Sequence, residues 1–273
     1  MQDVSTSRFT PNLDRISTLS ATILLAYSLS GLIRIPARQI STQLPGFYFE
    51  IQINFQTIVS FLVAALAASG TDWLLREHPN AKNQPLFQHL LIPALMAWVI
   101  GIPLYQQAGG IFWWIGLMLG GGALILVLVA EYIVVDPDDA RYPLASIGLS
   151  VIAYTLFFLL AVTLRANQLR LFLIVPALTL AIALINLRIL YLRLRRQWNL
   201  VPAALPTLII AELTIVAHYL PLSPVAFGLF LLGPAYGLIN LVSNLDYGKP
   251  WKPALSDTLI ILCVFWGLAF WFR

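Results

Sequence analysis

Residues 111–130 read IFWWIGLMLGGGALILVLVA, a run of twenty residues without a charged side chain. An α-helix rises about 1.5 Å per residue, so this run extends for about 30 Å, the thickness of the hydrocarbon core of a bilayer. Backbone polar groups inside a bilayer must be satisfied within the segment, and a helix satisfies them. The run therefore predicts a transmembrane helix.

Eight further apolar blocks set the fold class. Of the 273 residues, 59% are hydrophobic and 10% are charged, and a soluble core of this size could not bury so much apolar sequence. The sequence predicts an all-α polytopic bundle of about nine spans. These spans form a single integral membrane domain over residues 1–273, and the lipid bilayer is its predicted partner. The predicted spans are 16–35, 55–75, 87–105, 110–134, 144–164, 170–191, 202–220, 224–244 and 256–272.

The basic residues predict the orientation, because Lys and Arg favour cytoplasmic loops. With nine spans, the polar tail 1–15 and the even-numbered loops share one side, which holds 11 of the 16 basic residues. The N-terminus is therefore predicted to be cytoplasmic. The basic residues cluster at the ends of apolar blocks, which indicates contact with lipid headgroups and argues against a nucleic-acid partner. The chain resembles the broad population of small bacterial multi-pass proteins, which implies a prokaryotic inner or plasma membrane.

The loop after the first span has a different periodicity. Residues 47–56 read FYFEIQINFQ, and apolar and polar side chains alternate along them as in a half-buried strand. Pro45 and Gly46 suit a type II turn, and residues 39–44 could supply the partner strand. We expect an extracytoplasmic β-hairpin within residues 36–54. The alternative is that these residues begin a long second helix.

Similar short sequences recur in the two halves of the chain. Their offsets fall from 127 to 113, as gaps confined to loops would require. They predict a 4+4 parallel repeat plus one terminal helix, related by an axis along the membrane normal. Chance similarity between leucine- and alanine-rich spans is the alternative. The matching positions are Tyr27 with Tyr154, Leu75 with Leu192, Pro93 with Pro206, and Gly120 with Gly233.

Glu212 is the most informative single residue. It lies in the middle of a predicted span, where a carboxylate costs about 2.5–3.5 kcal/mol to insert. Such a group should face a protein interior or a water-filled cavity. Tyr219 lies on nearly the same helix face, whereas His218 points elsewhere. The pair predicts an intramembrane polar site for a proton or cation, and an interhelical hydrogen bond is the structural alternative.

Asp136, Asp138 and Asp139 form the densest acidic cluster, in a predicted cytoplasmic loop. Closely spaced carboxylates could hold Mg²⁺ against a lipid phosphate. An Asp-Pro-Asp-Asp turn that ends one helix and begins the next is the more ordinary interpretation. The three histidines stand apart from one another, so the sequence predicts no metal site and no cofactor.

Aromatic and basic residues at the span ends indicate lipid anchors, because Trp and Arg favour the headgroup level. Small residues four positions apart in two spans permit close helix approach and could mediate self-association or contacts with other membrane proteins. An unwound helix at a substrate site is the alternative. The anchors are Trp73, Arg76, Arg193, Arg195, Arg196 and Trp198; the glycine faces are Gly116 with Gly120 and Gly233 with Gly237.

These features lead to three functional hypotheses. Anchors and packing faces are many and convergent polar groups are few, which favours a non-enzymatic structural or accessory component of the cytoplasmic membrane. The second hypothesis is a small-solute or ion transporter that uses Glu212. The third is a membrane-embedded lipid-modifying enzyme that uses Asp136, Asp138 and Asp139.

Overall fold

The computed structural model describes residues 11–32, 38–44, 47–53, 55–81, 86–106, 110–194 and 200–273. Nine α-helices lie in these ranges, one for each predicted span. Two short 3₁₀ helices, Pro79–Ala81 and Phe87–Leu90, lie between the second and third of them. The α-helices are α1 Leu13–Leu32, α2 Phe55–Leu75, α3 Leu91–Gln106, α4 Ile111–Ile133, α5 Tyr142–Ala166, α6 Leu171–Arg193, α7 Leu200–Tyr219, α8 Pro224–Asp246 and α9 Trp251–Trp271.

Helix α9 shows the largest difference from the predicted bounds, since it begins at Trp251 and not at residue 256. Pro253 lies in the first turn of this helix. Proline is tolerated in the first turn of a helix, where its missing N–H has no intrahelical acceptor. The helix therefore starts ahead of its proline.

Eight segments in the described helices are long and apolar enough to cross a membrane, and none of them lies in α1. The predicted first span, 16–35, ends in residues outside the described part of the chain, so this ninth span stays a prediction. Asp14, Arg15 and several hydroxyl residues dilute the apolar character of α1. Thr18 and Thr22 donate their hydroxyl hydrogens to backbone carbonyls of their own helix.

Two antiparallel strands follow α1. Strand β1, Arg38–Leu44, pairs with β2, Phe47–Ile53, with Leu44 opposite Phe47 and Arg38 opposite Ile53. Residues 45 and 46, where the sequence predicts a type II turn, lie outside the described part of the chain. Helix α2 begins at Phe55. The predicted position of this loop on the extracytoplasmic face stays a prediction.

The helices group into two compact units. Unit 1 comprises Met1–Leu86 and Pro93–Asp139, and unit 2 comprises Phe87–Ile92 and Ala140–Arg273. Within unit 1, α1 packs against α2 and α4. Within unit 2, α5 packs against α6 and α8, α7 packs against the same two helices, and α9 packs against α8. The main boundary falls between α4 and α5, where the predicted halves meet, but the 4+4 repeat itself stays a prediction.

The glycine faces pack against helices of the same chain. A Cβ atom at Gly120 would lie 2.9 Å from Ile100 Cγ2, and one at Gly233 would lie 2.7 Å from Phe265 Cβ. Both distances are shorter than a normal van der Waals contact, so glycine lets these helices approach closely. Helices α4 and α8 run through these glycines without interruption. The glycines therefore serve packing within the fold.

Candidate functional site

A groove of about 530 Å³ opens on the side of unit 2. Most of its wall comes from α5, and α6, α8 and α9 complete it. We call it the α5–α8 groove, after the two helices that contribute most residues. Its lining residues are Ser146, Ile147, Ser150, Val151, Tyr154, Thr155, Phe158, Arg193, Leu232, Tyr236 and Phe265.

Helix α5 gives the groove its polar stripe. Ser146, Ser150 and Tyr154 are spaced four residues apart and so lie along one helix face. The wall from Ser146 to Phe158 covers twelve helical steps, about 18 Å. The Ser150 hydroxyl donates to the Ser146 carbonyl at 2.9 Å. The groove therefore runs along α5, with hydroxyl groups on one wall.

Tyr154 is the most unusual residue of the groove. Its side chain is only 7% exposed, and its hydroxyl has no hydrogen-bond partner among the described residues. Its ring meets that of Tyr236 edge-on, with centroids 5.3 Å apart and planes at 88°. A buried polar group without a partner costs about 1–3 kcal/mol. A ligand oxygen that reached this buried hydroxyl from the groove would remove that cost.

Arg193 gives the groove a positive end. It is the last residue of α6, and its Nη1 donates to Asn240 Oδ1 at 3.3 Å. The Tyr247 hydroxyl donates to the Arg193 backbone carbonyl, which fixes the end of α6 against α8. A guanidinium has five N–H donors in a fork that matches carboxylate and phosphate oxygens. Arg193 therefore combines a restrained position with donor capacity for an anion.

A second cavity, also of about 530 Å³, lies where α5 ends and α6 begins. Arg165 lines it together with Arg170 and His218. The Arg165 guanidinium donates to the carbonyls of His218, at 3.1 Å, and Leu220, at 3.2 Å. These bonds satisfy carbonyls at the C-terminus of α7, where a basic side chain is favourable. We therefore assign Arg165 a structural role.

Glu212 does not line the α5–α8 groove. It is exposed on the outer face of α7, and Tyr219 is 75% exposed on the same face. The neighbouring exposed side chains are apolar: Leu208 is 60% exposed and Ile215 is 41% exposed. The sequence placed this carboxyl group in a protein interior or a water-filled cavity, whereas in the described chain it lies on an outer surface. The insertion cost requires a partner for the group, but it does not require that partner to belong to the same chain.

The acidic cluster forms a turn between α4 and α5. The backbone N–H of Asp138 donates to Asp136 Oδ1 at 3.1 Å, and that of Asp139 donates to the Asp136 carbonyl at 3.3 Å. This is the local bonding by which aspartate stabilises a turn. Among the described residues, no group of three or more His, Cys, Asp or Glu side chains could hold a metal ion. A catalytic role for these three aspartates stays a prediction.

The predicted anchors at the end of α2 take part in local ion pairs. The Arg15 guanidinium lies 4.2 Å from the centre of the Trp73 ring and 2.6 Å from the Glu77 carboxylate. Arg76 Nε lies 2.6 Å from Asp72 Oδ2, and this hydrogen bond raises the pKa of Arg76. The start of α1 and the end of α2 therefore lie together at one end of unit 1. Arg195, Arg196 and Trp198 lie outside the described residues.

Sequence reasoning missed a buried basic contact in unit 2. Arg188 is fully buried in α6, and its Nη2 lies 3.0 Å from Nδ1 of His89, which is 1% exposed. The charge distribution assigns Arg188 to a predicted loop, and the sequence predicts no metal site at His89. The contact joins residues 99 apart in the chain, and no short-range pattern could have indicated it. Glu131, near the end of a predicted span, is also fully buried.

The hydroxyl stripe of the groove was missed as well, although the sequence carried a signal for it. Ser146, Ser150 and Tyr154 repeat at helical spacing within an otherwise apolar span. Arg193 was predicted only as an anchor. The structure brings it to the same groove as this stripe.

Comparison with known proteins identifies a family without an assigned activity. Residues 35–272 match the family described as "Protein of unknown function (DUF5656)". The match covers most of the chain and extends into both units, whereas α1 lies outside it. No curated protein and no solved structure matches the chain.

Proposed function

The chain belongs to the DUF5656 family of proteins of unknown function, and we propose that it is a non-enzymatic accessory protein of a prokaryotic cytoplasmic membrane. In this proposal, the α5–α8 groove holds an anionic lipid and the N-terminus is cytoplasmic. The single observation that carries the proposal is a buried, unpartnered Tyr154 hydroxyl in an apolar groove that also contains Arg193.

The apolar wall of the groove suits an acyl chain. Ile147 and Val151 are 63% and 60% exposed, so the groove is open towards the side of the helix bundle. Phe158, Leu232 and Phe265 supply further apolar surface. Ligand sites are mostly apolar, with a few polar groups that fix the orientation of the ligand. An amphiphile could enter such a groove sideways from the bilayer.

The polar groups of the groove suit the headgroup of such a lipid. Arg193 lies at the helix end that the distribution of basic residues predicts to be cytoplasmic, and basic pockets between helices on that side bind anionic headgroups. Arg193 can form charge-assisted hydrogen bonds to phosphate oxygens. Tyr154 and Ser146 can donate hydroxyl hydrogens to glycerol or ester oxygens. The chemistry therefore favours a glycerophospholipid over an uncharged lipid.

Neither alternative hypothesis gains comparable support. Transport through Glu212 would require this carboxyl group to line a pathway, and it lies on the outer face of α7. Lipid modification by Asp136, Asp138 and Asp139 would require free carboxylates facing a substrate, and Asp136 accepts backbone hydrogen bonds within its own turn. Both alternatives stay predictions.

The proposal is tested by native mass spectrometry of the purified full chain with phosphatidylglycerol and with phosphatidylcholine of the same acyl chains. We expect phosphatidylglycerol to bind more tightly. We expect Arg193→Gln to weaken that binding by about tenfold or more, since hydrogen bonds to charged groups contribute about 1.5–3 kcal/mol. Tyr154→Phe should weaken it by a smaller factor.

Arg76→Gln is the matched control, because Arg76 is also an arginine beside a helix end but does not line the groove. It should leave the preference for phosphatidylglycerol unchanged. Equal binding of the two lipids by the native chain, or equal losses in the two arginine variants, would contradict the proposal.

A further inference from the structure

Helix α7 has two faces of different character. The face that packs within unit 2 contains Ala203, Pro206, Thr207, Ile210, Thr214 and Ala217, all of them buried. The opposite face is exposed along the whole helix, from Val201 at 82% to Tyr219 at 75%. This outer face includes Glu212, and none of its residues lines the α5–α8 groove. It therefore needs an explanation independent of lipid binding.

Six of the exposed side chains follow a coiled-coil pattern. Their spacings alternate between four and three residues along the helix, which is the a/d spacing of a heptad repeat. This spacing keeps one seam facing a partner helix through a left-handed crossing, the commonest geometry between membrane helices. From the first d position to the last a position, the seam consists of Val201, Leu205, Leu208, Glu212, Ile215 and Tyr219.

Glu212 occupies an a position near the middle of this seam. One polar residue at an a position specifies the register and the number of strands in a coiled coil. Apolar residues at the other seam positions could be covered by lipid tails, whereas a carboxyl group in the middle of a span requires a hydrogen-bonding partner. The seam therefore favours a protein partner over lipid.

A second copy of this chain is the partner that fits best. In its protonated form a carboxyl group has one donor and one acceptor, so two such groups complement each other. A twofold axis along the membrane normal makes the two α7 helices parallel and places equivalent a positions opposite each other. A basic side chain on another described membrane-crossing helix could not serve as the partner in the middle of a span. The exposed basic residues of these helices lie at helix ends or beyond them.

We propose that α7 forms a parallel homodimer seam in the membrane, with the Glu212 carboxyl groups of two copies hydrogen-bonded to each other. This interface is not the self-association through glycine faces that the sequence suggested. Those glycines already contact helices of their own chain. The proposal requires only that α7 crosses a bilayer, so it stands if the α5–α8 groove binds no lipid.

The chain provides its own label for a test, because its one cysteine, Cys263, is exposed on α9. Purified full-length protein is labelled there with donor or acceptor fluorophores and reconstituted into phosphatidylcholine vesicles over a series of protein-to-lipid ratios. We expect energy transfer that titrates with dilution. Glu212→Ala removes the hydrogen bond between the two copies. It should therefore shift the protein-to-lipid ratio at the midpoint by about tenfold towards dissociation. Glu212→Gln should stay close to the native curve, because an amide also has donors and an acceptor.

Cross-linking locates the interface. In a Cys263→Ser background, Leu208→Cys should form a disulfide-linked dimer on mild oxidation, since Leu208 is a d position of the seam. Ile260→Cys on α9 is the matched control, with 64% exposure at a similar distance along its helix, and it should cross-link at least about tenfold less, because it lies off the seam.

Equal cross-linking at the two positions would overturn the proposal, and so would a native energy-transfer curve for Glu212→Ala. If Glu212→Ala changed the retention of a different protein while the native copies gave no energy transfer, the occupant would be another chain and the homodimer would be excluded. Because every variant is read out by energy transfer or cross-linking between copies, loss of lipid binding in the groove would affect neither result.

Discussion

Tyr27 of α1 in unit 1 and Tyr154 of α5 in unit 2 are matching positions of the predicted repeat, yet their hydroxyl groups have different environments. Both side chains are buried, at 3% and 7% exposure. The Tyr27 hydroxyl donates to the Ala97 carbonyl, and the Tyr27 ring lies against Gly101. The Tyr154 hydroxyl is buried and has no hydrogen-bond partner among the described residues, and Tyr154 lines a groove.

The difference shows that one residue type can stabilise packing in one unit and, in the proposed function, bind a ligand in the other. In unit 1 the donor is used between helices, so it stabilises the fold. In unit 2 the donor is buried without a partner, an arrangement that costs stability and is expected where a ligand completes the site. Three pairs of substitutions test this contrast. Each pair has one substitution in unit 1 and one in unit 2.

The largest effect is expected from a pair of arginines. Arg188→Ala in unit 2 removes a fully buried side chain that contacts His89, and it should reduce the free energy of unfolding by about 3–5 kcal/mol. Arg76→Ala in unit 1 removes a side chain that is 70% exposed, and it should leave stability unchanged. Thermal unfolding of the detergent-solubilised proteins measures both. Equal midpoints for the two variants would show that burial of Arg188 contributes nothing to unit 2.

A pair of glycines should give a smaller effect. Gly233→Ala in unit 2 places a Cβ 2.7 Å from Phe265 Cβ, an atom next to the backbone that cannot rotate away. Overpacking of this kind costs about 1–3 kcal/mol, and the better helix propensity of alanine offsets only part of it. Gly122→Ala in unit 1 meets no atom within 4 Å and should stabilise α4 by about 0.5–1 kcal/mol.

The measurement is again the unfolding midpoint, and the two variants should move it in opposite directions. A stabilised Gly233→Ala protein would contradict the close approach of α8 and α9. A destabilised Gly122→Ala protein would indicate that a neighbour covers that face of α4.

The sequence predicted the helices well, because the length of an apolar block and the thickness of a bilayer determine a span together. For α1 the apolar signal in the sequence is weaker, since hydroxyl groups interrupt its apolar positions, and Thr18 and Thr22 bond to carbonyls of their own helix. Hydrophobicity alone does not register that compensation. The helix still has a buried side, with Ile16, Leu19 and Ile23 at 5% exposure or less.

The candidate site was harder to predict than the helices. The four-residue spacing of Ser146, Ser150 and Tyr154 was present in the sequence, but only the packing of α5 against α6 and α8 brings this stripe to Arg193. For Glu212 the energetic argument singled out a residue that lies exposed on the outer face of α7, and the predicted polar site there stays a prediction. The cost of placing a carboxyl group in a membrane means that the group needs a hydrogen-bonding partner. It does not indicate which chain supplies that partner.

The smallest effect is expected from the tyrosine pair itself, and it tests the contrast directly. Tyr27→Phe removes a donor that the Ala97 carbonyl uses, so it should lower the free energy of unfolding by about 1 kcal/mol. Tyr154→Phe removes a hydroxyl without a partner, so in lipid-free detergent it should leave stability unchanged or raise it slightly. With phosphatidylglycerol present, the native chain should gain more thermal stability than Tyr154→Phe, because a ligand that binds more tightly stabilises the folded state more. Equal gains in the two proteins would mean that the Tyr154 hydroxyl does not bind the lipid, and equal losses from both substitutions without lipid would remove the difference between the two units.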